Sequence, residues 1–160
     1  MIPKNNKLIL NGVLIFSILS LSIAYFIQYI LGHKPCNLCL IERIPYIASV
    51  ILISFIFIIN RFEKIISIII LLFFIFAAIV SFYHFGIEQG FFSESLVCDL
   101  GNNVNLSKEQ LLKQLQNSSI VSCKDVTFRV LGFSLATINT IISIILSVII
   151  TRVIKNYDKN

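Results

Sequence analysis

The chain has 160 residues, of which 57% are hydrophobic and only 13% are charged, and its mean hydropathy is +0.91. Ordinary soluble domains carry about 25% charged residues, so this composition excludes a disordered chain, a coiled coil and a soluble basic nucleic-acid binder. The net charge of +5 is therefore interpreted as a signal of membrane topology, and the length predicts a single domain.

Four apolar segments are long enough to cross a bilayer as helices, because a span needs roughly 20 apolar residues. They cover residues 8–31, 41–59, 65–83 and 130–151. The sequence thus predicts an all-α membrane protein, a four-transmembrane-helix bundle in one domain over residues 1–160. A short loop over residues 32–40 and a long loop over residues 84–129 are predicted on one side. A cleaved signal peptide is the alternative for the N-terminus, but the first apolar run is longer than a usual signal core.

Positive charges are concentrated at one end of the predicted spans. Residues 1–7, 60–64 and 152–160 carry seven Lys or Arg residues and two acidic residues, whereas the segments at the opposite end carry six of each. Lys and Arg accumulate on the cytoplasmic side of membrane proteins. Both termini are therefore predicted to be cytoplasmic, with the long loop in the opposite compartment.

All four cysteines lie on the side that this topology places outside the cytoplasm. Cys36 and Cys39 fall in the first loop, and Cys98 and Cys123 fall in the long loop. Disulfides form and persist in such compartments, and proximity in the sequence favours the pairs Cys36–Cys39 and Cys98–Cys123. Cysteines that act only as small buried hydrophobic residues are the alternative, but these would be scattered through the spans. The pattern favours a redox function.

The CxxC spacing of Cys36 and Cys39 is typical of reducible disulfides in which one thiol has a depressed pKa. The second span begins directly after it, and the N-terminus of a helix favours a thiolate. Arg43 follows Cys39 by four residues, so a continuous helix would bring both to one face. An interfacial anchor paired with Glu42 is the alternative role for Arg43. His84, at the end of the third span, is either a proton-relay residue at the same membrane face or an ordinary interfacial residue.

Metal binding is an alternative use of these cysteines. Attachment of haem c requires a His directly after the second cysteine, and residue 40 is Leu. A zinc site needs four convergent ligands, and the second CxxC that would supply them is absent. The candidate ligands are Cys36, Cys39, His33, His84, Cys98 and Cys123. No metal site is predicted.

Three segments resemble the DsbB family of disulfide bond formation proteins. Residues 34–43, in which Glu42 and Arg43 follow the two cysteines, resemble the family's CxxC-x-x-E-R signature. Residues 83–88 resemble the segment that closes its third span, and residues 128–139 resemble the segment that begins its fourth. Four spans and two cysteine pairs agree with the resemblance, which covers nearly the whole chain.

The resemblance implies a thiol oxidase of the bacterial inner (cytoplasmic) membrane. It would reoxidise a soluble periplasmic DsbA-like thioredoxin-fold protein and pass the electrons to the membrane quinone pool and the respiratory chain. In that scheme Cys98 meets the partner and Cys123 exchanges with Cys36. Cys39 is left as the thiolate that contacts the quinone.

The same resemblance implies the residues of a quinone site. Arg43 would stabilise the Cys39 thiolate and, with His84 and Glu42, would bind the quinone. The quinone is either ubiquinone or menaquinone, held non-covalently or as a transient adduct with Cys39.

Two other functions remain open from the sequence. A vitamin K epoxide reductase-like protein also combines several spans, a CxxC and loop cysteines, but its CxxC is expected late in the bundle, the reverse of the order here. A non-catalytic membrane scaffold or subunit would use its loop disulfides only for stability. Its Cys36–Cys39 bond would then be indifferent to quinone.

Overall fold

The computed structural model describes residues 4–59, 62–93, 123, 129–130 and 133–157. The elements of this part of the chain are α1 (Lys4–Tyr29), α2 (Asn37–Ile41), α3 (Ile44–Ile59), α4 (Glu63–Glu88), β1 (Arg129–Val130), β2 (Phe133–Ser134) and α5 (Leu135–Tyr157). Four helical segments are long and apolar enough to cross a membrane, with α2 and α3 together forming the second. The predicted all-α four-helix membrane bundle is confirmed.

α1 runs in the opposite direction to α3 and to α5, as contacts at the two ends of the bundle show. At one end, Nδ2 of Asn6 in α1 donates to the backbone oxygen of Val153 in α5 at 3.2 Å. At the other end, Gln28 in α1 accepts a hydrogen bond from Arg43, just before α3, at 2.5 Å. α4 packs most extensively against α5, and α1 packs against α3, whereas α1 and α5 touch least among these neighbouring pairs.

The bundle is apolar both inside and outside. Leu10, Ile53, Phe74 and Ile150 come from all four spans and are fully buried in one core cluster. Many large apolar side chains on the outer faces are exposed, for example Ile58, which is 79% exposed. Lipid tails are as apolar as these side chains, so a bilayer covers such a surface without the cost that water would impose.

The second span contains a break between α2 and α3, at residues 42–43. Pro45 has no backbone N–H, and its ring clashes with the carbonyl four residues earlier, so helical bonding cannot continue across this point. The backbone N–H of Arg43 binds the oxygen of Leu40 at 3.2 Å, and that of Ile47 binds the oxygen of Arg43 at 3.1 Å. The continuous helix that would bring Cys39 and Arg43 to one face is therefore not formed.

α4 continues to Glu88, beyond the end predicted at residue 83. It stops where Gly90 adopts a left-handed conformation with φ of 78°. The N–H of Gly90 binds the oxygen of Ile87 at 3.0 Å, and the N–H of Phe91 binds that of Gly86 at 2.8 Å. This paired arrangement is a common helix terminator that favours glycine. Residues 84–88, which were predicted to lie in a loop, therefore belong to α4.

α5 begins at Leu135 rather than at residue 130. The two preceding strands form a small antiparallel hairpin, and Ser134 at its end caps the helix. Oγ of Ser134 accepts a hydrogen bond from the backbone N–H of Thr137 at 3.2 Å, which satisfies one of the free N–H groups of the first turn. The hairpin and cap fix the start of α5 beside the end of α4.

Candidate functional site

The two cysteines of the CxxC motif lie at the start of the second span. Cys36 is the N-cap of α2, and its Sγ accepts a hydrogen bond from the backbone N–H of Cys39 at 3.3 Å. Both are free cysteines, and Cys36 is only 5% exposed. The structure therefore holds the pair in its dithiol form rather than as the disulfide that proximity in the sequence favours.

His84 connects the dithiol to a carboxylate. Its Nε2 lies 3.6 Å from Sγ of Cys36, and its Nδ1 lies 2.8 Å from Oε1 of Glu42. When Nδ1 carries the proton and donates to Glu42, the lone pair of Nε2 faces the sulfur. This order of thiol, imidazole and carboxylate is that of a nucleophile, its base and the group that orients the base.

Three polar side chains whose role no sequence motif indicated hold Glu42 in place. Nδ2 of Asn139 in α5 donates to Oε2 of Glu42 at 2.9 Å and to Oγ of Ser81 at 2.6 Å. The hydroxyl of Tyr46 donates to Oδ1 of Asn139 at 2.5 Å. Polar side chains inside apolar spans are energetically costly to bury unless they bind one another. The presence of these polar residues within apolar stretches of the sequence is therefore the signal that could have indicated the network.

Arg43 is positioned by α1. Its Nη1 donates to Oε1 of Gln28 at 2.5 Å, and its guanidinium carbon lies 5.2 Å from the centroid of the Tyr25 ring. A hydrogen bond and a cation–π contact together restrain the planar group. Arg43 and Cys39 nevertheless line the same cavity, although they do not share a continuous helix.

The contacts around Cys36 lower the pKa of its thiol to about 4. The largest contribution is the hydrogen bond with the Cys39 thiol, and His84 adds a hydrogen bond and a favourable charge interaction. These effects outweigh burial, which by itself raises the pKa of a thiol. Thiolate character in the dithiol form therefore falls on Cys36. The Cys39 thiolate that the resemblance implies belongs to a different state, in which Cys36 has exchanged with Cys123.

A cavity of about 430 Å³ opens beside the dithiol, between α1 and α5. Its wall along α1 extends from Gln28 to Phe16, a distance of roughly 18 Å at the rise of an α-helix. The walls along α1 and α5 are mostly apolar, and the ionisable groups are concentrated at the cysteine end. The volume lies within the range of small-molecule sites, about 300–1,000 Å³.

Cys123 reaches the same cavity and is disulfide-bonded. It is 3% exposed and belongs to a buried cluster with Cys36 and Ile87. Its expected partner, Cys98, lies outside the described residues, so that pairing stays a prediction. The fold thus brings a disulfide sulfur and the dithiol into one cluster, although the two are far apart in the sequence.

Cys36, Cys39 and His84 place three potential metal-binding atoms within 4.8 Å of one another. A structural zinc site needs four ligands. Cys123 is engaged in a disulfide and offers no thiolate, and Cys98 lies outside the described residues. The three atoms alone do not complete a structural zinc site, and their arrangement suits thiol chemistry.

A dithiol in contact with a histidine, together with a disulfide-bonded cysteine, lies at one end of four membrane-length helices. These features define a multi-pass membrane protein of thiol–disulfide chemistry. The family model of the disulfide bond formation protein DsbB matches residues 6–153. The chain is also 32% identical over 148 residues to the uncharacterized protein RP370 of Rickettsia prowazekii (strain Madrid E), covering 91% of this chain and 86% of that protein. No solved structure gives a significant match. The chain belongs to the DsbB family and is a disulfide oxidoreductase by that membership.

Proposed function

We propose that this protein is a thiol:quinone oxidoreductase that reoxidises a soluble DsbA-like dithiol protein and passes the electrons to a membrane quinone. The observation that carries the proposal is that three features meet at one cavity: the Cys36–Cys39 dithiol, the disulfide-bonded Cys123 and an apolar wall between two membrane helices. Membership of the DsbB family supports disulfide chemistry, and the apolar cavity supports a lipid-soluble electron acceptor.

The proposed location is the bacterial inner membrane, with residues 1–160 as a single domain and the cysteine end in the periplasm. The concentration of Lys and Arg in the segments at the opposite end supports cytoplasmic termini. An oxidising compartment is also where a disulfide at Cys123 persists. In this orientation the dithiol protein approaches from the periplasm, and the acceptor approaches from the bilayer.

The first half of the proposed reaction is disulfide exchange. A thiolate of the DsbA-like protein attacks Cys98, which breaks the Cys98–Cys123 bond and forms a mixed disulfide; the partner's second thiol then releases the partner in oxidised form. Cys123, now a thiolate, attacks Cys36 of an oxidised Cys36–Cys39 pair, and Cys98 then closes the loop disulfide again. The shared cluster of Cys123 and Cys36 supports this order. The product is the Cys36–Cys39 dithiol, the form that the structure holds.

The second half is reoxidation of that dithiol. Cys36 closes the S–S bond on Cys39, and His84 takes the Cys36 proton on Nε2, which lies 3.6 Å from the sulfur. Glu42 keeps the imidazole oriented through its contact with Nδ1 and disperses the positive charge that forms. Two electrons and two protons leave the protein in this step.

The cavity and its polar groups fit a quinone as the acceptor. Arg43 and His84 line the end at which the dithiol lies, so they are the groups that would bind the ring oxygens, and Glu42 would act through His84. A bound quinone supplies the two-electron acceptor. The apolar wall down to Phe16 would hold an isoprenoid tail.

The deciding experiment measures quinone reduction by the purified protein supplied with a reduced DsbA-like protein and, separately, ubiquinone and menaquinone analogues. Wild-type protein is expected to reduce at least one of them, and Cys39→Ser is expected to abolish the reaction. Asn6→Ala, at the opposite end of the bundle, is the matched control for a polar substitution that leaves the site intact. Folded wild-type protein with an intact Cys36–Cys39 disulfide that reduces neither quinone would overturn the proposal and favour a scaffold.

A further inference from the structure

Glu88, the last residue of α4, carries a buried carboxyl group. Its side chain is 7% exposed and lines the cavity beside the dithiol. Its Oε2 is buried and has no hydrogen-bond partner among the described residues. Burial of a carboxyl group is costly unless the group is paired, and ionisable residues in membrane spans are generally retained for function. Packing alone does not explain a carboxyl group at this position.

Glu88 lies next to the nitrogen that faces the dithiol. Its Oε1 is 3.7 Å from Nε2 of His84, one helical turn earlier, and the same Nε2 is 3.6 Å from Sγ of Cys36. Nδ1 of His84 is already engaged by Glu42 at 2.8 Å. A proton that passes from Cys36 to Nε2 therefore stands beside the Glu88 carboxyl group.

The two carboxyl groups around His84 differ in what they contact. Glu42 has both oxygens bound, one by His84 and the other by Asn139. Glu88 has one oxygen near His84 and the other without a partner among the described residues. Glu42 is thus fixed as an orienting group, whereas Glu88 has the freedom to take up a proton on one oxygen and release it from the other.

The groups that face Glu88 come from three parts of the chain. His84 lies on its own helix, Glu42 and Cys36 flank α2, and Ser134 immediately precedes α5. All three of His84, Glu42 and Cys36 are ionisable groups, and Cys36 gives its proton to His84 in the proposed reaction cycle. Glu88 is therefore coupled to the dithiol through His84 and through space.

We infer that Glu88 carries the Cys36 proton from His84 to the electron acceptor in the cavity, an inference that rests on the proposed function. When the dithiol is oxidised, one S–S bond forms, two S–H bonds break, and two electrons and two protons convert a quinone to a hydroquinone. The Cys36 proton moves to Nε2 of His84, then to Glu88, and then to one quinone oxygen. The Cys39 proton goes to the other oxygen, since Cys39 lines the same cavity.

The first test is the rate of quinone reduction by the full-length Glu88→Gln variant, which keeps the size of the side chain but cannot carry a proton. Acid–base groups typically contribute about 10²–10⁴-fold, so kcat is expected to fall about a hundredfold with the KM for quinone unchanged. Disulfide exchange with the reduced DsbA-like protein, measured in a single turnover without quinone, should keep its wild-type rate and so report intact folding. Glu63→Gln, the same change at the first residue of the same helix, is the matched control.

Chemical rescue separates proton transfer from a structural role. Glu88→Ala leaves room in the cavity wall, and formate in the buffer supplies a small carboxylic acid there. Formate is expected to raise the rate of Glu88→Ala about tenfold, a part of the typical acid–base contribution, and to leave His84→Ala and Glu63→Ala unchanged.

The outcomes distinguish the two proposals. Wild-type kcat in Glu88→Gln, or a Glu88→Ala variant that does not respond to formate, overturns the role of Glu88 while the wild-type protein still reduces quinone. Absence of quinone reduction by the wild-type protein overturns the proposed function, and the role of Glu88 with it. A slow Glu88→Gln variant together with formate rescue of Glu88→Ala supports both.

Discussion

Both ends of the bundle bury polar side chains, but they use them differently. At the end away from the cysteines, Asn6 donates to the backbone oxygen of Val153 and accepts a hydrogen bond from Asn156 at 3.3 Å. These amides join α1 to α5 and carry no proton that they can release. At the cysteine end, the buried groups include the ionisable side chains of His84 and Glu42, which lie beside a cavity.

The difference shows how to separate structural from functional polarity inside a membrane protein. Interhelical hydrogen bonds between amides add modest stability, on average about 0.6 kcal/mol each in a membrane protein studied by double-mutant cycles. Ionisable groups cost more to bury and are kept where charge must move. Changes at the cysteine end should therefore affect the rate of reaction, whereas changes at the other end should affect only stability.

The largest effect is expected from His84→Ala. Loss of the base that faces Cys36 should lower the rate of quinone reduction by about 10²–10³-fold, within the usual range for acid–base catalysis. Stopped-flow measurement of quinone absorbance checks the rate, and thermal unfolding in detergent checks the fold. A rate within twofold of wild type would contradict the role of His84 as the base.

The pH dependence of Cys36 alkylation tests the same contact without any quinone. Because the folded pKa of Cys36 is lowered to about 4, its thiolate persists at pH 5 and is lost only as the pH falls through about 4. An unperturbed thiol with a pKa of about 8.5 is almost wholly protonated at pH 5. In His84→Ala the loss of alkylation should move to higher pH, and the rate of Cys36 alkylation at pH 5 should fall about tenfold. This decrease is smaller than the decrease in the thiolate fraction, because a more basic thiolate is more nucleophilic.

In that experiment, mass spectrometry after proteolysis measures the alkylation of Cys36 and of Cys39 separately. Asn6→Ala should show the wild-type profile at both cysteines. Identical profiles for wild type and His84→Ala would show that the imidazole does not stabilise the Cys36 thiolate.

A smaller effect is expected from Asn139→Ala. The change leaves Oε2 of Glu42 and the hydroxyl of Tyr46 without their partner, and an unsatisfied buried polar group costs about 1–3 kcal/mol. The melting temperature should fall, and quinone reduction should slow about tenfold, well short of the general acid–base contribution itself. Asn139→Asp, which keeps an oxygen but loses the donor to Glu42, should be at least as slow; a wild-type rate there would exclude a positioning role.

The smallest effect is expected from Asn6→Ala. Removal of one interhelical amide contact should lower the free energy of unfolding by about 0.6 kcal/mol and leave the rate of quinone reduction unchanged. Equilibrium unfolding in detergent measures the first, and the quinone assay measures the second. A marked loss of activity would show that the two ends are not independent.

The sequence predicts the four spans because long apolar runs leave few alternatives in a membrane. Pro45 indicates an interruption in the first turns of the second span, and the break lies at residues 42–43, whereas the helical spacing of Cys39 and Arg43 alone gives no sign of it. The predicted third span ends too early, since hydropathy treats His84 and Glu88 as loop residues. His84 contacts Glu42, which is 42 positions away in the chain, and Glu88 contacts His84 one helical turn earlier.

The residues of the candidate site divide in the same way. Cys36, Cys39 and Arg43 form a local motif, so their spacing alone points to redox chemistry. The contact between Glu42 and Asn139 joins residues that are 97 positions apart, and no local pattern contains it. The role proposed for Glu88 likewise has no local sequence pattern, because it depends on a cavity that only the assembled helices create.

α1 and α5 contact each other less than the other neighbouring long helices do, which affects how the two substrates reach the protein. Phe16 and Ile23 line the cavity and are 36% and 59% exposed, and both belong to the span formed by α1. In the proposed reaction, the acceptor therefore enters sideways from a two-dimensional pool, while the dithiol protein arrives from three-dimensional solution. The two substrates approach through different phases and do not compete for one entrance, so the membrane itself keeps the electron donor and the electron acceptor apart until the cysteines connect them.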